Sequence, residues 1–295
     1  MLRKSTLKAL HASTVTTSHV DWLTVTSKAS GPSDGLWKLG NRLCAANEVK
    51  GELPSAWHGH GYRGARVHGV AYGARADGCY LRLSGLESAE HWFEALTAAE
   101  NCSRIDLAVD THFHLPVTSL VRELYVEVPD KSRHGGRPPM KRLVMDTRGG
   151  QTLYFGARSS ERFGRLYDKG IESKSHKAGL RWRWEVEAKE TAARMFADGL
   201  KTTASPESYV QGVVAGFFWS RAGVRLAQLE PSGFHKTEHP EPSSARLLHW
   251  LASGVRPTVA KLTKVYGRER VLHALGIPLK SAVDGPEHTD EPNGG

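Results

Sequence analysis

The chain has 295 residues, 39% of them hydrophobic, with 40 Lys and Arg against 31 Asp and Glu, a net charge of +9 and a pI near 9.5. That is enough for one large domain or two small ones with a real core, and the basic balance favours a polyanionic partner such as nucleic acid. No run approaches the roughly 18 to 20 apolar residues of a membrane helix, and Met1 to Val20 lacks the apolar stretch of a secretory signal, so neither a span nor a leader is expected. Cys44, Cys79 and Cys102 are odd in number, far apart and without CxxC spacing, which argues against zinc or redox use and for a reducing cytoplasm.

In chain order, residues 1–18 read as a loose tail, and His19 to Thr26 alternates as a first strand. Ala65 to Tyr72 and Cys79 to Ser84 form the two arms of a hairpin, with its turn at Gly73 to Gly78. Trp92, Phe93, Leu96 and Ala99 repeat at helical spacing across Leu86 to Glu100, with Ser88 as N-cap. A strand follows at Ser103 to Leu115, and then Val128 to Arg142, rich in Pro, Gly, Lys and Arg, reads as a basic loop, solvated or lying on a phosphate backbone.

Three more strands are predicted at Leu143 to Thr147, Thr152 to Ala157 and Arg162 to Asp168, and a fourth at Arg181 to Lys189. That last strand runs into a helix from Thr191 to about Leu200. A second helix, Pro206 to Leu226, carries Val210, Val213, Val214, Phe217 and Phe218 as its buried stripe. The whole reads as α+β with a central antiparallel sheet flanked by helices. Residues 19–229 form the main domain, 230–244 a linker, 245–280 a basic helical segment that either reads DNA or packs on the main domain, and 281–295 a disordered tail.

Chemistry gathers on three strands. Period two puts Ile105, Leu107 and Val109 on one face of the Arg104 to Leu115 strand, and Arg104, Asp106, Ala108, Asp110, His112 and His114 on the other. Carboxylates select hard cations such as magnesium or manganese, and His extends the choice toward manganese or zinc. A solvated face whose charges pair with basic neighbours carries the same pattern. Arg181 to Lys189 repeats it, with Trp182, Trp184, Val186 and Ala188 opposite Arg181, Arg183, Glu185, Glu187 and Lys189. Asp106, Asp110, Glu185 and Glu187 are therefore the candidate metal ligands, against the alternative of structural cross-strand ion pairs. Between these strands, Phe163, Arg165, Tyr167 and Lys169 share a face if the strand is regular, which sets a phenol between two cations that favour its phenolate or hold a phosphate.

From Val20 to Leu226 the chain resembles the Rep_trans family of replication initiation factors. The resemblance is carried by Val20-Asp21-Trp22-Leu23, Gly85, Arg104-Ile105-Asp106-Leu107-Ala108-Val109-Asp110, Leu153-Tyr154-Phe155-Gly156, Arg165-Leu166-Tyr167-Asp168-Lys169 and Arg183-Trp184-Glu185-Val186-Glu187. It implies a Rep/relaxase-like fold and a metal-dependent nickase that forms a 5′-phosphotyrosyl bond and leaves a 3′-hydroxyl primer. Tyr167 matches the nucleophile, Asp106 the first-strand metal carboxylate, and Glu185 or Glu187 the later one, with Mg2+ or Mn2+ as the ion. Lys169 and Arg165 complete the catalytic set, while His112 and His114 lie downstream of the family's acidic pair and take no role. Origin DNA, single-stranded or supercoiled duplex, is the expected partner, with a host helicase and a second copy of the chain as further candidates. Phage, plasmid and conjugative settings all fit. Two rival readings stay open: a non-catalytic operator binder using Val255 to Leu279, and an RNA-binding sheet, which the acidic face and inward Trp182 and Trp184 disfavour.

Overall fold

The computed structural model describes residues 4–29, 31, 33–127, 141–145, 150–173, 179–222, 224, 226, 229 and 256–274. It divides into two units, Met1–His235 and Lys236–Gly295. In the first, helix α1 (Lys4–Ala12) precedes β1 (Thr14–Ser27), α2 (Gly35–Val49), β2 (Ser55–Gly59), β3 (Tyr62–Val67), β4 (Val70–Arg75), β5 (Gly78–Ser84), α3 (Leu86–Ala98) and β6 (Asn101–His112). Then come α4 (Leu120–Glu127), β7 (Lys141–Met145), β8 (Gln151–Phe155), β9 (Arg162–Asp168), α5 (Lys169–Glu172), β10 (Arg181–Lys189), α6 (Glu190–Thr202) and α7 (Pro206–Ala222). The second unit contains α8 (Arg256–Tyr266) and α9 (Arg268–Ala274), joined through Gly267 at φ 82.

All ten strands form one sheet in the order β2-β3-β4-β5-β1-β6-β10-β9-β8-β7, antiparallel at every pairing. The expected α+β architecture is what forms. Helices pack on one face: α2 on β3 to β5, α3 on β1 and β5, α6 on β6 and β10, and α7 on β1, β6 and β10. That face is apolar because of the alternation in the sequence. Leu23, Ile105, Leu107, Val109, Trp184 and Val186 turn inward with Val213, Phe217 and Phe218 of α7, all at most 1% exposed. The indole N–H of Trp184 donates to Thr111 Oγ1 at 3.0 Å, so this large side chain is buried without an orphaned donor. The three cysteines are free and buried, in keeping with a packing role.

Several local expectations change. The segment before Ser18 is a helix followed by the first turns of a long strand. Thr14–Ser27 spans fourteen residues because its N-terminal half pairs with β6. The predicted hairpin is a meander: its first arm is broken at His68 and Gly69, where His68 takes φ 42, and its second turn is at Ala76 and Asp77. Helix α3 starts at Leu86 with Gly85 as N-cap, and Ser88 sits inside it with its hydroxyl buried and unpartnered. Helix α2 was not anticipated, although its signals are standard. Asp34 accepts from Leu36 N at 2.8 Å and Trp37 N at 3.2 Å, and Leu36, Leu39, Leu43 and Asn47 make the buried stripe. The basic loop before Lys141, the 230–244 linker and the final tail lie outside the described residues.

Phe217 of α7 lies against Gly164 of β9, where an added Cβ would be 2.3 Å from Phe217 Cε1. Phe217 is wedged edge-on against Phe218, centroids 5.3 Å apart, so the ring cannot simply yield. Gly164→Ala is expected to lower stability by about 1–3 kcal/mol, seen as a lower urea midpoint with an unchanged slope.

Candidate active site

Three rows of side chains cross the open face of the sheet. Strand register aligns Trp22, Asp106, Glu187 and Phe163 in the first; His19, Ala108, Glu185, Arg165 and Tyr154 in the second; and Thr17, Asp110, Arg183, Tyr167 and Thr152 in the third. A register shift between Val20 and Trp22 makes β1 bulge at Asp21. A bulge adds one residue to the strand, so both Asp21 and Trp22 reach the open face while Val20 and Leu23 stay in the core.

The carboxylates form two groups. Asp106, Glu185 and Glu187 are 1%, 1% and 3% exposed, and cations bind them from above. Arg104 donates to both oxygens of Asp106, at 2.9 and 2.6 Å, and to Glu187 at 3.0 Å. Arg165 bridges Asp106, at 3.0 Å, and Glu185, and Lys189 pairs with Glu187 at 2.8 Å. Arg165 thus reaches Asp106 from two strands away, roughly 10 Å. Asp110 lies four residues along β6, about 13 Å from Asp106, and belongs to a separate group. Arg183 binds both its oxygens at 2.6 and 3.0 Å, Arg181 binds it at 2.6 Å, and Arg183 also donates to Asp21 at 2.6 Å.

Tyr167 sits between the groups. Its hydroxyl donates to Glu185 Oε2 at 3.3 Å, Arg183 is its direct cross-strand neighbour, and Lys169 Nζ lies 5.8 Å from its ring centroid. Asp168 explains why Lys169 leaves the strand. Its carboxylate caps α5 by accepting from Gly170 N and Ile171 N, so the chain turns into a helix directly after the tyrosine. Lys169 therefore starts α5 and pairs with Glu172. Tyr154 is on β8, stacked on Phe163 with centroids 5.4 Å apart, and offers no second nucleophile beside Tyr167.

The electrostatics differ from the expectation of a phenolate. Burial, reinforced by the charge of Glu185, pushes the Tyr167 hydroxyl well above the usual tyrosine range, and Arg183 only partly opposes this. Arg165 and Lys169 face carboxylates instead. Burial also dominates at Glu185, where it outweighs Arg165 and, with Asp106 alongside, pushes the carboxyl up to about 8. Asp106 is raised by burial against the pull of Arg104 and Arg165. Burial likewise pushes Asp110 and Glu187 up, but Arg183 and Arg181 in one case, and Lys189 and Arg104 in the other, more than reverse it.

Oxygen donors of this kind suit a hard divalent ion, but as arranged here they do not fit one. Guanidinium groups stand between the carboxylates, and among the described residues no three His, Cys, Asp or Glu side chains converge on a common point. His112 and His114 are exposed at and beyond the end of β6, where His112 lies across from Arg181. A cavity of about 390 Å³ lined by Val20, Trp92, Leu200 and Val210 touches only His19 of the three rows and is not the charged site. The sequence put Arg104 and Arg183 on the correct face without giving them roles. Pairing of Arg183 with Asp110 depends on strand register, which no local pattern reveals.

Arg183→Met leaves Asp21 without its arginine partner and Asp110 with Arg181 alone, and is expected to cost roughly 3–5 kcal/mol at neutral pH, measured by urea unfolding. Burial raises Asp21, but the His19 hydrogen bond and Arg183 bring it down to about 2. Its contribution is thus complete above the unfolded value of about 4 and is lost as pH falls toward about 2. The gap between wild type and variant should close over the same window.

A model of the replication initiation factor family matches residues 100–275, more than half of the chain. The structure of a rolling circle replication initiator protein from Geobacillus stearothermophilus is similar in fold, with a TM-score of 0.51 and 22% identity over 75% of this chain and 89% of that one. No curated protein matches the sequence.

Proposed function

The chain belongs to the replication initiation factor family, and from that premise we propose that it initiates rolling-circle replication by nicking one strand of origin DNA with Tyr167 as nucleophile. The observation that carries this reading is the hydrogen bond from the Tyr167 hydroxyl to buried Glu185, at 3.3 Å, beneath Arg165 and beside Lys169 and Arg183. In the proposed reaction the phenol oxygen attacks the scissile phosphorus and its proton passes to the Glu185 carboxylate. The P–O3′ bond breaks, the 5′ phosphate stays on Tyr167, and the departing 3′ oxygen takes up a proton to become the primer hydroxyl. One phosphodiester replaces another, so the step is reversible and the strand can be rejoined.

Arg165 supports the reading from a second side. Its side chain is 22% exposed above the buried acids and can turn a donor to an incoming phosphate oxygen. Once the phosphate draws Arg165 away, Glu185 loses its main cationic neighbour and binds a proton more tightly, which favours removal of the phenol proton at that moment. Lys169 is 21% exposed and can turn from Glu172 to the same phosphate, to stabilise charge on the pentavalent intermediate. A requirement for magnesium or manganese is a proposal of its own, because it needs Arg165 and Arg104 drawn off Asp106, Glu185 and Glu187. Asp110, already bound by two arginines, belongs in this scheme to the framework. Full ion pairing of all four carboxylates also favours a second reading, a non-catalytic origin-binding protein.

Supercoiled DNA carrying the chain's own gene region separates the two. Incubated with Mg2+, Mn2+ or EDTA and run on a protein-denaturing gel, wild type should yield nicked DNA joined to protein, and Tyr167→Phe none. Nicking in EDTA removes the metal proposal alone, while binding without a nick under every ion favours the second reading. Glu185 stands at about 8 in the free protein and rises once Arg165 leaves it, so with the carboxylate as the active form single-turnover cleavage should go on rising with pH past about 8. Glu185→Gln should be slow and lack that rise; an unchanged profile would remove Glu185 as proton acceptor.

A further inference from the structure

The other half of the open face carries a second ordered pattern that the nicking chemistry does not use. Register aligns Trp57, Gly64, Gly73, Tyr80 and Thr26 in one row across β2, β3, β4, β5 and β1. The next row, two residues along or roughly 7 Å, is Arg66, Ala71, Arg82, Thr24 and Arg104. Rings thus lie beside guanidiniums, with small side chains between them.

The glycines let the rings lie flat. A Cβ on Gly59 would sit 2.6 Å from the Trp57 ring and one on Gly73 3.2 Å from it. Trp57 stacks on Tyr80, centroids 5.0 Å apart at 17°, and Tyr80 leans on Tyr62 at 5.4 Å. Trp22 lies between two guanidiniums, Arg82 at 5.1 Å and Arg104 at 4.6 Å. Among the described residues neither Arg66 nor Arg82 is paired with a carboxylate, and Arg82 Nε is buried with no acceptor. Arg104 joins this surface to the charged site, since it also bonds Asp106 and Glu187.

We propose that this face is a binding platform for unpaired bases of single-stranded DNA, with Trp57 as the stacking surface, Arg66, Arg82 and Arg104 on the phosphates, and Trp22 holding the last two in place. Flat rings accept any base, and arginines at alternate strands match a chain of phosphates. The identity of the strand as DNA rests on the nicking reading above. On that reading the platform holds the strand that runs to Tyr167, because Arg104, at the end of its second row, also bonds Asp106 and Glu187 in the charged site.

The test uses the full chain in EDTA with labelled oligothymidylate, its duplex with oligoadenylate, and the same backbone with abasic sites, followed by anisotropy. Oligothymidylate should bind more tightly than the duplex and than the abasic strand. Trp57→Ala should weaken it by roughly 5- to 100-fold, with Trp57→Phe recovering most of the loss, and Arg66→Gln should lower the salt slope by about 0.7. Equal affinity for the abasic strand overturns the proposal, as does a folded Trp57→Ala that binds like wild type. If Trp57→Ala does not fold, the abasic comparison and the Arg66→Gln slope decide. Nicking that persists with base-independent binding defeats the platform alone, whereas base-dependent binding without nicking under any ion defeats the nicking reading alone.

Discussion

The charged half of the open face depends on carboxylates buried in the adjacent strands β6 and β10. Removing a carboxylate from water costs several kcal/mol, recovered only when a well-placed partner fills its hydrogen-bonding positions. Asp106, Asp110, Glu185 and Glu187 each have such a partner, and most are planar guanidiniums that can bind two oxygens or bridge two acids. Well-packed apolar residues would be as stabilising, so the charges need another reason. The acids are almost wholly buried, while Arg104, Arg165 and Arg181 remain 22–28% exposed. Seen from solvent, the face is therefore an array of arginines held in position by counter-ions beneath it, and a phosphate can take over those hydrogen bonds.

The sheet's two faces make that array possible. The long helices α2, α3, α6 and α7 of the first unit pack on the apolar face, so most of the hydrophobic burial lies there, apart from the charged face. The bulge at Asp21 then adjusts the charged face locally. It turns Asp21 toward Arg183 and, one residue later, Trp22 toward Arg82 and Arg104, a pair of neighbours that strict alternation forbids. A single extra residue in β1 thus supplies both the partner for Arg183 and the ring that adjoins Asp106.

The sequence made the strands of the site legible because their periodicity is strong. Arg162–Asp168 and Arg181–Lys189 form over the residues expected, and β6 differs by a few at each end. Acidic and aromatic positions fell on the correct faces for the same reason. Three features were out of reach. Which arginine binds which acid is a matter of register between strands 70 to 160 residues apart. The state of Tyr167 depends on burial beside Glu185, so counting its nearby cations gave the wrong sign. The bulge leaves no local mark, because Asp21-Trp22 reads as ordinary alternation. Helix α2 is a different case, since both its Asp34 cap and its apolar stripe are local features of the sequence.

The raised hydroxyl of Tyr167 fits a nuclease that must wait for its substrate. A phenolate standing ready on an open, arginine-rich face would meet any passing phosphodiester. In the proposed mechanism the hydroxyl, held as a phenol by burial and by Glu185, stays unreactive until the Arg165 to Glu185 contact is broken. Single phosphates compete poorly for a guanidinium already bound to two buried acids. A strand anchored elsewhere on the same sheet presents its phosphate at high effective concentration, and Arg104, shared between the base-binding rows and Asp106, joins the two events. In the proposed mechanism, selectivity thus lies in the exchange of arginine partners and not in the intrinsic reactivity of the tyrosine.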